Sequence, residues 1–368
     1  MKLKGLVLMS AAALSLMVLG GCEKKESPAP GGTTTTPATA PKPGPGAAQS
    51  APAPAPDSKP ALDAASKGKT YRIGVIAKSN DNAVFQAART GATAAAAELS
   101  KKYNCTVEAI WKTPDKENAQ VQAQYVEQLV SQGVDGLAIS CTDAGVLKKV
   151  IDDAVAKGVT VVTFDSDSAD SKRMAYYGVN DETAGKIIMQ QLAKAMGDKG
   201  GPIAILGGNQ SAPNLQARIR GVRAEIKALE AKGFSEEKVH YHTETPQDAV
   251  NAIQQAQNAN PKIAGWAMVG GWPLFTANAL DGIADKGVAV VSMDTLTQQL
   301  IYVENGQCAA LVGQDCYGWG HESVRIICEK LIENKTPASP VVYSEPTIVT
   351  KQNVAEVKGQ WEKWLGTK

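Results

Sequence analysis

The sequence is poor in the residues on which most site chemistries depend. Its 368 residues hold three His and six Cys, and none falls in a CxxC or HExxH spacing. Zinc finger, zinc ribbon and metalloprotease readings therefore lack ligands, and no metal is expected. No GxGxxG follows a strand pattern, and neither a GxxxxGK[ST] loop nor a GxSxG elbow occurs, so no nucleotide cofactor and no serine-hydrolase nucleophile is expected. Neither sign of charge is in excess: 38 Lys+Arg stand against 37 Asp+Glu, a formal net charge of +1. That balance gives no electrostatic reason to bind nucleic acid or an anionic membrane surface. Long hydrophobic runs are also scarce. The run from Leu6 to Leu19 is too short for a comfortable membrane span.

Lys2 and Lys4 precede that run, and Leu19-Gly20-Gly21-Cys22 follows it. A basic start, a short apolar stretch and small residues describe a secretory signal over residues 1–21. Leu-Gly-Gly-Cys resembles the lipobox of bacterial lipoproteins, which implies lipidation of Cys22. Loss of Lys2 and Lys4 with the signal leaves the mature chain at a net charge of −1. Residues 28–60 contain ten of the nineteen prolines with Ala, Gly and Ser around them. Such a stretch stays extended and buries too little to fold. Residues 22–67 are read as a disordered tether that holds a folded region away from the membrane.

From Tyr71 onward short apolar runs alternate with amphipathic stretches. Strands are expected at Tyr71–Ala77, Val107–Trp111, Val134–Ser140, Val159–Phe164, Met174–Gly178, Pro202–Leu206, Ile263–Val269, Val288–Met293 and Ala309–Gly313. Helices are expected at Asn82–Tyr103, Ala119–Gln132, Ala144–Lys157, Thr183–Met196, Leu215–Lys232, Ala249–Asn258 and Pro273–Lys286. Gly133, Gly158 and Gly287 close helices just before strands, where a left-handed C-cap carries no Cβ penalty. This alternation gives parallel sheets with helices on both faces. About 300 residues of it suggest two doubly wound α/β lobes. An eight-stranded barrel ranks lower, because Met174–Gly178 follows Val159–Phe164 with no helix between.

In open α/β sheets ligands sit beyond the carboxyl ends of the strands. Those edges carry Asn82 and Phe85, Asp165 to Asp167, Asn180-Asp181, Asn214 and Arg218, Trp272, Asp294, and Gln314-Asp315. Carboxylates, amides and arginine suit vicinal hydroxyls, and aromatic faces suit the C–H side of a sugar ring. Singly, each Asp is as readily a helix cap or turn residue, and each aromatic a core residue. Recurrence at one edge favours a neutral polyhydroxylated ligand. His240 and His242 share a face of a strand, which is read as a surface strand because no third metal ligand accompanies them. Cys105, Cys141, Cys308, Cys316 and Cys328 remain beyond Cys22. In an exported chain at least one disulfide is expected among them, of undetermined pairing.

Residues 71–354 resemble the periplasmic sugar-binding proteins of ABC transporters, of the ribose/galactose-binding type. The resemblance rests on YRIGVIAKSNDNAVFQAARTGA, QVQAQYVEQLVSQGVDGLAIS, GVTVVTFDSD, YYGVNDETAGK, NLQARIRGV, VVSMDT and IVTKQNV, in that order. It implies the type I periplasmic binding protein fold, with two lobes joined by a three-crossing hinge that closes on a monosaccharide. Its motif positions fall on Asn82, Phe85, Asp165, Arg218, Asp294 and Gln314, which it implies bind sugar hydroxyls, with Phe85 stacking. Asn214 and Trp272 join them by local position. The chain departs from the family at Val84, where a second aromatic is usual, and at Ser166, where an Arg is usual. It departs again at Gly270-Gly271-Trp272, in place of an Asn-Asp pair. Ribose is therefore not carried over, and a non-sugar ligand of similar size stays open.

The hinge crossings are expected near Gly178, Gln314 and Glu345. That divides the chain into an N-terminal lobe, 70–178 plus 315–344, and a C-terminal lobe, 179–314 plus 345–368. The chain is read as a monomeric binding protein, not an enzyme, located in the cell envelope and tethered through Cys22. Its partners are a monosaccharide and an ABC transporter permease, or else a sensory receptor. A lactose-repressor-like role is rejected, because a signal and tether occupy the place of a DNA-binding motif. A glycosidase is disfavoured because Asp165 and Asp167 are too close in sequence for an acid/base pair.

Overall fold

Residues 66–366 are described by the computed structural model. The signal, Cys22 and nearly all of the tether lie outside that span. Twelve strands run in chain order through two halves. The first half holds β1 (Thr70–Ile76), β2 (Thr106–Trp111), β3 (Gly136–Ile139), β4 (Thr160–Phe164) and β5 (Ala175–Val179). The second holds β6 (Gly201–Gly207), β7 (Phe234–Tyr241), β8 (Gly265–Met268), β9 (Ala289–Met293) and β10 (Ala310–Gly313). Two short strands close the series, β11 (Val341–Ser344) and β12 (Thr347–Val349). They form two six-stranded sheets with the same plan, β11-β5-β4-β3-β1-β2 and β12-β10-β9-β8-β6-β7. All pairings are parallel except β10 with β12. The central strands are buried from end to end, as expected of parallel strands covered on both faces.

The helices begin where the sequence offers an acceptor to orphan backbone donors. α1 (Ala83–Tyr103) starts on Asn82, α2 (Ala119–Ser131) on Asn118 and α3 (Ala144–Ala156) on Asp143. α4 (Asp181–Met196) starts on Asn180, followed by α5 (Pro213–Ala228) and α6 (Pro246–Ala259), the latter capped by Thr245. α7 (Thr297–Glu304), α8 (Cys316–Glu333), capped by Asp315, and α9 (Val354–Leu365) complete the set. Gly133 and Gly158 adopt φ of +74° and +87°, the left-handed closure their positions call for.

Four expectations need correction. Residues Pro273–Lys286 do not form one helix. They form two 3-10 turns, Trp272–Phe275 and Ala284–Lys286, because Asn278 and Gly282 turn the chain at φ +62° and +71°. The strands β11 and β12 and the helices α7, α8 and α9 had no counterpart among the expected elements, and β7 had one only in the strand read at His240 and His242. The expected disulfide is absent: all five described cysteines are free. Two of them, Cys316 and Cys328, lie twelve residues apart on α8, about 18 Å along the axis and out of each other's reach. Finally, His242 is not on a surface strand. It lies just past β7, 9% exposed.

Each lobe fastens its helices by the same device. In the first, a Cβ on Gly91 would stand 2.0 Å from the Tyr317 carbonyl oxygen, and one on Gly320 would stand 1.9 Å from that of Ala88. In the second, Cβ atoms on Gly185 and Gly221 would stand 2.0 Å from the Arg218 and Glu182 carbonyl oxygens. Glycine alone lets α1 meet α8, and α4 meet α5, at backbone distance. The chain passes between sheets three times: β5 leads into α4 of the second half, β10 leads back into α8, and β11 leads into β12. α9 adds a side-chain link. Trp361 is fully buried and donates to Thr295 Oγ1 at 3.1 Å. Trp364 stacks on Tyr317 with centroids 5.7 Å apart and 13° between planes.

Candidate binding site in the cleft

The site grows from the carboxyl ends of β1, β3, β4, β8, β9 and β10. Asp165 follows β4 directly, in a left-handed conformation with φ +56°, and is 5% exposed. Its Oδ2 accepts from Ser140 Oγ at 2.6 Å and faces Lys78 Nζ at 3.8 Å, while its backbone carbonyl accepts from the Tyr176 hydroxyl at 2.9 Å. Burial alone lowers the affinity of the Lys78 ammonium for its proton. Asp165, Glu117 and Glu244 outweigh that, and the group is held charged above its ordinary range.

Across the cleft, Arg218 projects from α5 and is 2% exposed. Its Nε donates to Asp181 Oδ1 at 2.8 Å, one Nη to the Val269 carbonyl at 3.0 Å and the other to Gln314 Oε1 at 2.9 Å. Gln314 Nε2 in turn donates to Asp294 Oδ1 at 2.8 Å. Burial pushes the Asp181 carboxyl up to about 6 despite Arg218, and pushes Asp294 upward too. Burial acts the other way on Arg218, but Asp181, Asp294 and Asp165 together hold its guanidinium above its usual range. The chain Asp181–Arg218–Gln314–Asp294 thus fixes donors and acceptors of both signs in a nearly dry space.

A cavity of about 820 Å³ opens in front of this cluster, lined from the first lobe by Asp81, Asn82 and Glu117 and from the second by Tyr241, His242 and Trp272, among others. His242 Nδ1 accepts from the Glu244 amide at 3.0 Å, and its ring meets Trp272 edge-on at 5.0 Å. Burial pulls the imidazole down to about 4, with Asp248 opposing, so it is neutral. Glu117 is exposed at the mouth of the cavity. The cleft walls nonetheless strip enough solvent to push its carboxyl up to about 7, Lys78 opposing and Glu244 and Asp165 adding to the rise.

Of the residues the sequence nominates, Arg218, Gln314 and Asp294 form one hydrogen-bonded chain, and Asp165 sits with Lys78 in the buried cluster. Asn82 and Trp272 line the outer cavity. Asn82 also caps α1, its Oδ1 accepting from the Val84 amide at 3.2 Å. Phe85 is 3% exposed and packs on Trp319 with centroids 5.8 Å apart, outside the wall of that cavity. Asn214 is buried, and its Oδ1 accepts from the Leu215 amide at the start of α5. Asp167 belongs to the framework, forked by Arg173 at 2.5 and 2.6 Å.

Sequence reasoning placed Asp181 at the ligand edge but did not nominate Lys78, Ser140 or His242. Lys78 had a signal, a charge placed two residues past β1, whose last four residues, Ile73 to Ile76, are a buried apolar run. Among the described residues no group of three or more His, Cys, Asp or Glu is placed to hold a metal ion. No helix among them is long and apolar enough to cross a membrane.

Comparison with known proteins agrees with this plan. Residues 73–335 match the model of the periplasmic binding protein domain. The D-ribose/D-allose-binding protein of Pseudomonas aeruginosa is 24% identical over 254 residues, 66% of this chain and 76% of that protein. The xylitol-binding protein of Mycolicibacterium smegmatis is 24% identical over 80% of this chain and 81% of its own length. Among solved structures, an ABC transporter solute-binding protein from Burkholderia graminis in complex with D-arabinose superposes with a TM-score of 0.71 and 26% identity. It covers 78% of this chain and 97% of its own.

Proposed function

The chain belongs to the periplasmic binding protein domain family, and from that premise we propose that it binds a neutral monosaccharide or polyol between its lobes and delivers it to an ABC transporter permease. The observation that carries the reading is the convergence of Lys78 and Asp165 from one lobe and Arg218, Asp294 and Gln314 from the other on one buried space. Alternating donors and acceptors fixed in a dry cleft suit a ring of hydroxyls, which both gives and takes hydrogen bonds. The names of the relatives, which bind ribose, allose, xylitol and arabinose, support the same ligand class.

Ser166 stands where an arginine is usual in the ribose-binding type, and it is fully buried. The cation that pairs with Asp165 comes instead from Lys78, at the end of β1. We assign to the first lobe residues 70–178 plus 315–344 and to the second 179–314 plus 345–368, with closure about the three crossings. A ligand that contacts both lobes favours the closed form by its differential affinity for it. Several charged hydrogen bonds of this kind support micromolar binding, about 8 kcal/mol. Export, acylation of Cys22 and tethering by the proline-rich segment complete the proposal, with the chain acting as a monomer.

The test is a thermal-shift panel of pentoses, hexoses, deoxysugars, polyols and amino acids, on chain unfolded and refolded to strip carried ligand. A rise of several degrees with one neutral sugar or polyol, lost in Asp165→Ala, is expected. A shift with amino acids alone would overturn the ligand class.

A further inference from the structure

Helix α9 begins at Val354, beyond residues 73–335 that match the family domain. It touches both lobes, and unequally. Val354, Val357 and Trp361 form one buried face, and Trp361 donates to Thr295 Oγ1, two residues past β9, at 3.1 Å. That anchors the helix to the second lobe. Its hold on the first lobe is shallower. Trp364 is half-buried, its ring stacks on Tyr317 of α8 at 5.7 Å and 13°, and its carbonyl accepts from Thr90 Oγ1 of α1 at 2.7 Å. Tyr317 also stacks on His321, at 5.7 Å and 22°. His321 in turn meets Glu98 of α1 at 3.1 Å and Glu322 of α8 at 2.9 Å.

These contacts lie across the hinge from the cleft. A cavity of about 260 Å³ is lined by Gln314, Asp315, Ser344 and Glu345 of the crossings and by Gln360 and Trp364 of α9. The Gln314 side chain reaches Arg218 and Asp294 of the cleft cluster, and no residue of α9 lines the cleft cavity. On the cleft side the walls bond within their own lobes. Lys78 and Ser140 face Asp165 in the first, while Arg218 bonds Asp181 and Asn209 bonds Glu244 in the second. The 820 Å³ between those walls is toward the upper end of the range of about 300–1,000 Å³ typical of drug-sized ligands. A single sugar ring leaves room there for the lobes to approach.

We propose that α9 is a strap behind the hinge that resists closure of the lobes and so sets the affinity of the cleft for its ligand. The proposal rests on the reading of the chain as a protein that closes on a small molecule. Rotation about the crossings that narrows the cleft draws apart the surfaces on their far side. Trp361 keeps α9 with the second lobe, so the separation falls on Trp364, Tyr317 and Thr90. Apparent affinity is the intrinsic affinity reduced by the fraction of chain in the binding-competent form. Contacts made only in the wider form lower that fraction.

The test titrates the sugar or polyol selected by the thermal-shift panel into the parent chain and into Trp364→Ala, Trp364→Phe and Thr90→Val, followed by calorimetry. Trp364→Ala should bind about three- to tenfold more tightly than the parent, the scale of one aromatic pair. Trp364→Phe, which keeps a ring, should fall between the two. Thr90→Val, which loses only the hydroxyl donor, should tighten binding by a smaller factor. A purely structural contact would lower the melting temperature when removed, but would not raise affinity. Should Trp364→Ala fail to melt cooperatively, Tyr317→Leu deletes the same stack from the first lobe and should tighten binding likewise. Unchanged or weaker binding by the folded variants, with the parent binding normally, would overturn the strap and leave the ligand reading intact. Absence of binding by the parent would overturn both.

Discussion

Asp165 and Asp294 occupy the same place in the two lobes: each is the first residue past the fourth strand of its half, and each has a positive φ, +56° and +68°. Asp165 is buried and Asp294 half-buried, and left-handed backbone is costly for a residue with a Cβ. Duplicated strain at the same topological point is what a binding site built from two half-sites would contain. It follows that Asp294 is held for its carboxylate and not for the stability of the fold. Burial already raises its affinity for a proton. Asp294→Asn, which retains an acceptor for Gln314 and tolerates left-handed backbone, should leave the melting temperature equal or higher. The same variant should weaken sugar binding by about tenfold or more, the value of a charged hydrogen bond. Thermal melts with and without ligand separate the two effects.

Lys78 offers a second test of the buried cluster. Its nearest counter-charge, Asp165, lies 3.8 Å away, beyond hydrogen-bond distance, and on the proposed reading its donors serve the ligand. Lys78→Met keeps most of the stem and removes the ammonium. Binding should fall by about 10- to 100-fold, from about 1.5–3 kcal/mol for a hydrogen bond to a charged group. A titration of the variant that matched the parent would remove Lys78 from the site.

His242 predicts a pH effect of definite sign. Its folded value, about 4, lies below the ordinary value, so the fold keeps it neutral while the unfolded chain protonates first. Its contribution is complete above the unfolded value of about 6.5 and is lost as pH falls toward 4, at most about 3 kcal/mol. His242→Gln should flatten the loss of stability between those limits. Denaturant titrations at several pH values check this, and equal slopes in both chains would contradict it.

Two glycines on helices make opposite predictions. A Cβ on Gly320 would stand 1.9 Å from the Ala88 carbonyl oxygen, whereas one on Gly359 of α9 meets nothing within 4 Å. Gly320→Ala should destabilise by at least about 1–3 kcal/mol through forced separation of α1 and α8. Gly359→Ala should stabilise by about 0.5–1 kcal/mol through reduced backbone entropy. Parallel melting curves decide both.

Much of this was legible in the sequence, and the gaps have physical causes. Parallel strands covered on both faces announce themselves as apolar runs, so nine strands fell within a residue or two of expectation, together with the aspartates beyond β4 and β9. The segment from Trp272 to Lys286 carried the burial signal correctly: Leu274, Leu280 and Ile283 are all fully buried. Its helical geometry failed because Asn278 and Gly282 turn the chain, which periodicity does not register. α8 escaped because its first turns read Cys316-Tyr317-Gly318-Trp319-Gly320, a poor helix by propensity. Packing against α1 overrides that propensity. Lys78 escaped because a lysine after a strand reads as solvated until a carboxylate from another strand is brought beside it.

The central claim is that one neutral sugar or polyol bridges the lobes through the buried charges. The most direct test is calorimetric titration of the sugar or polyol selected by thermal shift into the parent chain and into Asp165→Ala. The account predicts saturable binding with one ligand in the buried cluster per chain, at least about 100-fold weaker in the variant, or about 3 kcal/mol. Undiminished binding by Asp165→Ala, or no heat with any sugar or polyol, would contradict it.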